Sequence, residues 1–168
     1  MATTYEKIQS TTLGSAASTI SFSSISSAYT DLRLVMVGKF TVSGDFAAIR
    51  FNSDSGSNYS DTEIQGSGSS ASSTRHTGQT NMYISDLNGQ SSTSIPQFIA
   101  IDIFSYTGST YKTALIEYSM DLNGSGYVGR EVGLWRSTSA ITSITALMPS
   151  GGQFATGYQA TLYGIKAA

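Results

Sequence analysis

Apolar and polar residues alternate along most of this chain with a period of two, as strands do when their two faces meet different surroundings. The clearest run is 32–42. There Leu32, Leu34, Met36, Phe40 and Val42 share one face, and Arg33, Lys39 and Thr41 share the other with Val35 and Val37. A helix would scatter these residues round its axis. Gly38 within the run marks a candidate bulge. Residues 97–106 set Ile99, Ile101 and Ile103 against Phe98, Ala100 and Phe104. Residues 110–120 set Ala114, Ile116, Tyr118 and Met120 against charged and polar partners, and residues 159–166 set Ala160, Leu162 and Gly164 against Thr161, Tyr163 and Ile165. The last of these is expected to close the sheet. Shorter strands are expected at 5–9, 19–25, 47–51, 81–84, 128–136 and 139–148.

Turn chemistry separates these runs. Ser43-Gly44-Asp45 is expected to return the chain so that 47–51 pairs with the long strand before it. Asp86-Leu87-Asn88-Gly89 contains Asn-Gly, a strong turn signal. Tyr106-Thr107-Gly108-Ser109 reads as a hairpin turn between two well-patterned strands, which are therefore expected to pair. Asn123-Gly124-Ser125-Gly126 and Pro149-Ser150-Gly151-Gly152 are further turns. About nine or ten short strands, Gly-rich turns and no helix argue a single-domain, all-β, antiparallel sandwich or barrel. No internal repeat of fixed period points to a solenoid or propeller.

Residues 66–78 stand apart. Gly-Ser-Gly-Ser-Ser-Ala-Ser-Ser-Thr-Arg-His-Thr-Gly holds almost nothing that could be buried, so its own contacts do not offset the entropy of ordering it. It reads as a flexible surface loop; the alternative is an extended arm ordered by a neighbouring subunit.

Composition fits the strand reading. Charged residues make up 12% of the 168, against about 25% in ordinary globular domains. Ser, Thr and Gly take their place, with 17 Gly and 10 Tyr but 2 Pro. The net charge is −2 and the nine Lys and Arg are scattered singly, so no nucleic-acid partner is expected. There is no cysteine, which excludes disulfides and thiolate metal sites. The N-terminus lacks the pattern of a signal peptide, and no apolar run approaches the roughly 20 residues of a membrane helix. No membrane partner is expected.

Candidate chemistry is sparse. His76 is the single histidine, flanked by Arg75 and Thr77 in the Ser-rich segment. A Ser-His-Asp triad built on it would lack the Gly-x-Ser-x-Gly elbow, and the bland reading is a solvated histidine. Glu63, Asp102, Glu117, Asp121 and Glu131 are candidates for paired-carboxylate hydrolysis, for which two must stand about 5–9 Å apart. Asp102, between apolar neighbours, is the one most expected to be partly buried, and structural salt bridges or hydrogen bonds are the favoured role. In 51–60, oxygen-bearing side chains recur at alternate positions about Gly56, which resembles a calcium loop. No Glu closes it at the EF-hand spacing. Asn52, Asp54 and Asn58 are therefore read as organising a turn through their own backbone, with calcium as the alternative. Trp135, the single tryptophan, is read as core, with an exposed anchor or sugar platform as the alternative. No cofactor is expected, and no catalytic constellation; the chain reads as a non-enzyme.

Two stretches carry a family resemblance. Arg50-Phe51-Asn52-Ser53-Asp54-Ser55-Gly56-Ser57-Asn58-Tyr59 is similar to a recurring segment of small jelly-roll virion proteins of tailed bacteriophages. So is the C-terminal part, with Gly133-Leu134-Trp135-Arg136-Ser137-Thr138, Ile141-Thr142-Ser143-Ile144, Phe154-Ala155-Thr156-Gly157 and Thr161-Leu162-Tyr163-Gly164-Ile165-Lys166. The resemblance covers most of the chain from about Leu32 onward, and its motifs are structural. It implies a jelly roll, a homotrimer and a place in the virion. The role it favours is a capsid decoration (cement) protein whose partner is the major capsid protein. A receptor- or carbohydrate-binding tail-fibre tip, with a host-surface glycan as partner, is the alternative. Strand signals from Tyr5 and no shaft-like repeat favour the decoration role over the fibre tip; residues 1–12 are expected as an N-terminal segment and docking arm and 13–168 as the jelly-roll domain. Tyr5, Arg75, His76, Trp135 and Arg136 are the candidate interaction residues.

Overall fold

The computed structural model describes residues 4–85 and 91–166. Among the described residues there are twelve strands and no helix. They are β1 (Tyr5–Thr12), β2 (Thr19–Phe22), β3 (Asp31–Gly38), β4 (Ala47–Phe51), β5 (Tyr59–Gly66), β6 (Ala71–Gln79), β7 (Met82–Ser85), β8 (Gln97–Phe104), β9 (Lys112–Asp121), β10 (Gly126–Trp135), β11 (Ile144–Leu147) and β12 (Gln159–Ile165). They form two antiparallel sheets packed as a sandwich. The larger has eight strands in the order β1-β12-β3-β8-β9-β10-β5-β6, and the smaller has four in the order β2-β11-β4-β7.

The alternating strands behave as their pattern dictates. Leu32, Leu34 and Met36 of β3, Ile99, Ile101 and Ile103 of β8, and Ala114 and Ile116 of β9 all point inward and are fully buried. The small sheet covers them with Phe22, Ile49, Phe51, Met82, Ile144 and Ala146. Burying each large aliphatic or aromatic side chain contributes about 1.5–3 kcal/mol, so this layer is the main source of stability. The hairpin between β8 and β9 forms as expected. Its turn is closed by Gly108 N–H donating to Ser105 O at 2.9 Å, and Ile101 lies opposite Ile116. The buried ammonium of Lys112 donates to Gly108 O and Thr110 O, both at 2.6 Å, and so caps the same turn; burial lowers its pKa.

Several expectations are corrected. β4 does not pair with β3. It lies in the small sheet between β11 and β7, because residues 39–46 carry the chain from one sheet to the other. That crossing is pinned by the Asp45 carboxylate, which accepts from Phe46 N and Gly152 N, while Asp45 N donates to Ser91 Oγ. Gly38 is not a bulge, since the β3–β8 register runs through it unbroken. It is glycine because the Tyr158 ring packs where a Cβ would stand, 2.3 Å away. β12 does not close the sheet but lies inside β1. Residues 66–78 are not a loop. They hold a turn and all but the last residue of the nine-residue edge strand β6, whose backbone is ordered by its ladder with β5 and not by burial of its side chains. Within the segment 1–12, Tyr5–Thr12 is a sheet strand that pairs with β12, with one register shift between Lys7 and Gln9. The turn expected at residues 86–89 lies outside the described residues.

Candidate functional site

The Asn52–Tyr59 segment links the two sheets and turns on itself. Asn52 and Ser53 take left-handed φ values of 52° and 58°, a conformation that Asn tolerates well. Asn52 Oδ1 accepts from Thr142 N at 2.8 Å and Ser143 N at 3.2 Å, and its Nδ2 donates to Ala140 O at 2.7 Å. Asp54 is the hub. Its Oδ1 accepts from Gly56 N at 2.8 Å, and its Oδ2 accepts from Asn58 Nδ2 at 2.9 Å and from Trp135 Nε1 at 2.7 Å. Burial alone would raise its pKa. The bonds from Trp135, Asn58 and Gly56, with the charge of Arg50, outweigh that and hold the carboxyl below the usual aspartate range. Donors surround this carboxylate, which is the chemistry of a turn anchor and not of an oxygen cage for a hard cation. Trp135 is buried, stacked on Tyr59 at 6.3 Å, and Arg136 joins the hub by donating to Ser57 O. Burial pushes the Tyr59 phenol up to about 12, and its hydroxyl accepts from Phe51 N at 3.1 Å.

Beyond this hub the inner face of β5 and β10 turns polar. Along β5 the inward residues are Tyr59, Asp61, Glu63 and Gln65; opposite them on β10 stand Trp135, Gly133, Glu131 and Gly129. Glu63 and Glu131 are therefore direct cross-strand partners, both about nine-tenths buried or more, at 3% and 2% exposure. The two glycines make room for neighbours. At Gly133 a Cβ would lie 2.2 Å from the Met82 sulfur, and at Gly129 it would strike the Tyr118 ring. Tyr118 thereby reaches across β10 from β9 and donates its hydroxyl to Glu63 Oε2 at 2.8 Å, while Gln65 Nε2 donates to Oε1 at 3.2 Å. Asp61 meets His76 Nδ1 at 2.6 Å, and the imidazole packs edge-on against Tyr83 at 4.5 Å. These carboxylates are buried within the sandwich. No group of three His, Cys, Asp or Glu side chains is placed to hold a metal among the described residues.

The other candidate carboxylates lie apart. Asp102 makes a two-pronged pair with Arg33 on the outer face of the large sheet, Glu117 pairs with Arg130 on that face, and Asp121 accepts from Asn123 N in the β9–β10 turn. Tyr5 stands half exposed on β1 against Tyr163, and Arg75 is exposed on β6 near Thr62. Tyr5, Arg75 and the Trp135–Arg136 pair thus lie on three separate parts of the molecule. His76 belongs with Asp61, a residue the sequence reading passed over. Its signal was there: Tyr59, Asp61, Glu63 and Gln65 recur at period two, but a polar row reads as solvent-facing.

The outer face of the large sheet carries no covering layer among the described residues. Ile64, Val128 and Val132 are 60%, 63% and 47% exposed on adjacent strands β5 and β10, with Phe98, Phe104 and Val37 further along. At one end of the sheet, an open groove of about 860 Å³ separates the β5–β6 and β9–β10 turns, lined by Ser67, Ser69, Asp121, Ser125 and Tyr127 among others. Comparison with protein families, with curated proteins and with solved structures gives no match.

Proposed function

We propose that this chain is a non-enzymatic structural protein of a bacteriophage virion, a decoration subunit of jelly-roll type that works by surface binding. The observation that carries an assembly role is the uncovered outer face of the large sheet. Its apolar side chains are interleaved with the Arg33–Asp102 and Arg130–Glu117 pairs, so it offers contact area in which most of the charge is paired. The rest of the molecule offers little to catalysis, since Glu63 and Glu131 are buried in the sandwich, Asp102 and Glu117 are held in surface pairs, and Asp121 sits apart in a turn. The resemblance to virion jelly rolls supplies the setting, with the coat lattice and further copies of the chain as partners. A subunit that binds the assembled lattice but not its dissociated parts shifts the equilibrium toward the intact shell, and several contacts per assembly let each be weak.

The open groove supports a second reading, a fibre tip that takes a glycan. Its serines, Asp121 and Tyr127 supply the hydroxyls, acid and aromatic edge that sugars engage. One experiment separates the two. Heads lacking this protein are expected to break sooner under heat or osmotic shock. Wild-type protein should restore them, and a Val128→Asp/Val132→Asp variant should not. Robust heads with lost host adsorption would overturn the decoration role in favour of the fibre tip.

A further inference from the structure

The sandwich exposes four sheet edges among the described residues, and three are guarded. β2 and β7 have four residues each, and β7 pairs with β4 through a register shift. β1 is interrupted by a shift between Lys7 and Gln9 and carries both Glu6 and Lys7. Short strands, bulges and charges are the usual means of keeping an edge from pairing with another chain. β6 has none of them over most of its length. Its ladder with β5 runs unbroken from Ser60↔Thr77 to Gly66↔Ala71, with the single shift beyond Thr77. It holds no Pro and no Lys, Arg75 is its one full charge, and its side chains from Ala71 to Arg75 are all exposed.

We propose that β6 is a self-pairing edge, joining β6 of a second copy antiparallel about a two-fold axis at Thr74. This goes beyond the decoration reading and does not depend on it. The register follows from the residues. An axis at Thr74 uses the whole unbroken stretch: Ala71 faces Thr77 of the second copy, Ser72 faces His76, Ser73 faces Arg75 and Thr74 faces itself. Ser73 and Arg75 lie on the outer face, as their ladder partners Ile64 and Thr62 do, so each Arg75 meets a serine. An axis at Arg75 would set guanidinium against guanidinium, which is destabilising, and an axis at Ser73 would shorten the ladder. Thr–Thr and Ser-containing cross-strand pairs stabilise such a ladder, and an isologous contact closes after two copies. A segment with nothing to bury then contributes through its backbone, in the way of strand addition.

The chain has no cysteine, so one introduced residue reports the axis. Thr74→Cys in the full-length protein is expected to form a disulfide-linked dimer rapidly under mild oxidation, because directly opposed residues stand about 4.5–5.5 Å apart at Cα, within disulfide reach. Ala71→Cys, which faces Thr77, and the exposed Ser139→Cys should link no faster than random collision. Sedimentation equilibrium gives the second measure. Ser73→Glu, placed against Arg75 twice, should tighten self-association by roughly three- to tenfold at low salt, and Ser73→Lys should weaken it by a similar factor. Melting temperatures of the five variants near that of wild type establish that they fold. A chain that stays monomeric even as Ser73→Glu, a trimer indifferent to residue 73, or equal cross-linking at positions 71, 74 and 139 would each overturn the proposal.

Discussion

The inner face of the eight-stranded sheet divides into two halves that follow different rules. Across β3, β8 and β9 its centre is aliphatic, from Leu32, Leu34 and Met36 through Ile99, Ile101 and Ile103 to Ala114 and Ile116, and lies under the small sheet. Across β10 and β5 it begins with the Trp135–Tyr59 stack and then carries Asp61, Glu63, Gln65 and Glu131, equally buried. The aliphatic half is stabilised by area removed from water. The polar half costs desolvation, which Tyr118 and Gln65 offset at Glu63 and His76 offsets at Asp61. The lesson is that burial and hydrophobicity separate within a single sheet once glycines such as Gly129 and Gly133 let partners reach in.

The contrast can be tested by substitution. The largest effect is expected in the aliphatic half: Ile101→Ala should cost about 2–5 kcal/mol in chemical denaturation, through lost transfer energy and a cavity that fixed strands do not refill. A cost below about 1 kcal/mol would mean that this layer is loosely packed and the comparison fails.

At the boundary between the halves, Asp54→Ala should cost about 2–3 kcal/mol, because it strands the Trp135 and Asn58 donors together. Tryptophan fluorescence should shift to the red before global unfolding. The pH dependence has a definite sign. The Asp54 pKa is lowered from 3.8 on folding, so the unfolded chain binds the proton more readily and the contribution is complete above that value. It is lost as pH falls through the lower folded value, so wild type should lose stability on acidification below about pH 4 more steeply than Asp54→Ala. Parallel acid profiles for the two proteins would remove Asp54 as the hub.

The smallest effect belongs to the polar half. Tyr118→Phe removes the hydroxyl that donates to Glu63 Oε2 and keeps the ring that packs at Gly129. It should leave the fold intact and cost about 1 kcal/mol in chemical denaturation. No measurable cost would show that this hydrogen bond does not help to hold the polar half together.

Much of this molecule was legible in its residues. Period-two alternation located β3, β8, β9 and β12, a Gly-containing turn tied β8 to β9, and many short strands between Gly-rich turns pointed to an all-β class. Of the residues about Asp54, Asn52 and Asn58 could be named from turn chemistry. The meeting of Asp54 with Trp135, 81 positions away, could not. β5 and β6 went unread for one reason. Their inward rows are polar or hydroxylic, and local pattern assigns such rows to solvent. Alternation records that a strand has two unlike faces, but the sequence does not say what covers either of them. The division into eight and four strands, the crossing that sends β4 to the small sheet, and the burial of Asp61, Glu63 and Glu131 were decided by tertiary structure alone, because each depends on partners brought from distant strands to satisfy charge and fill space.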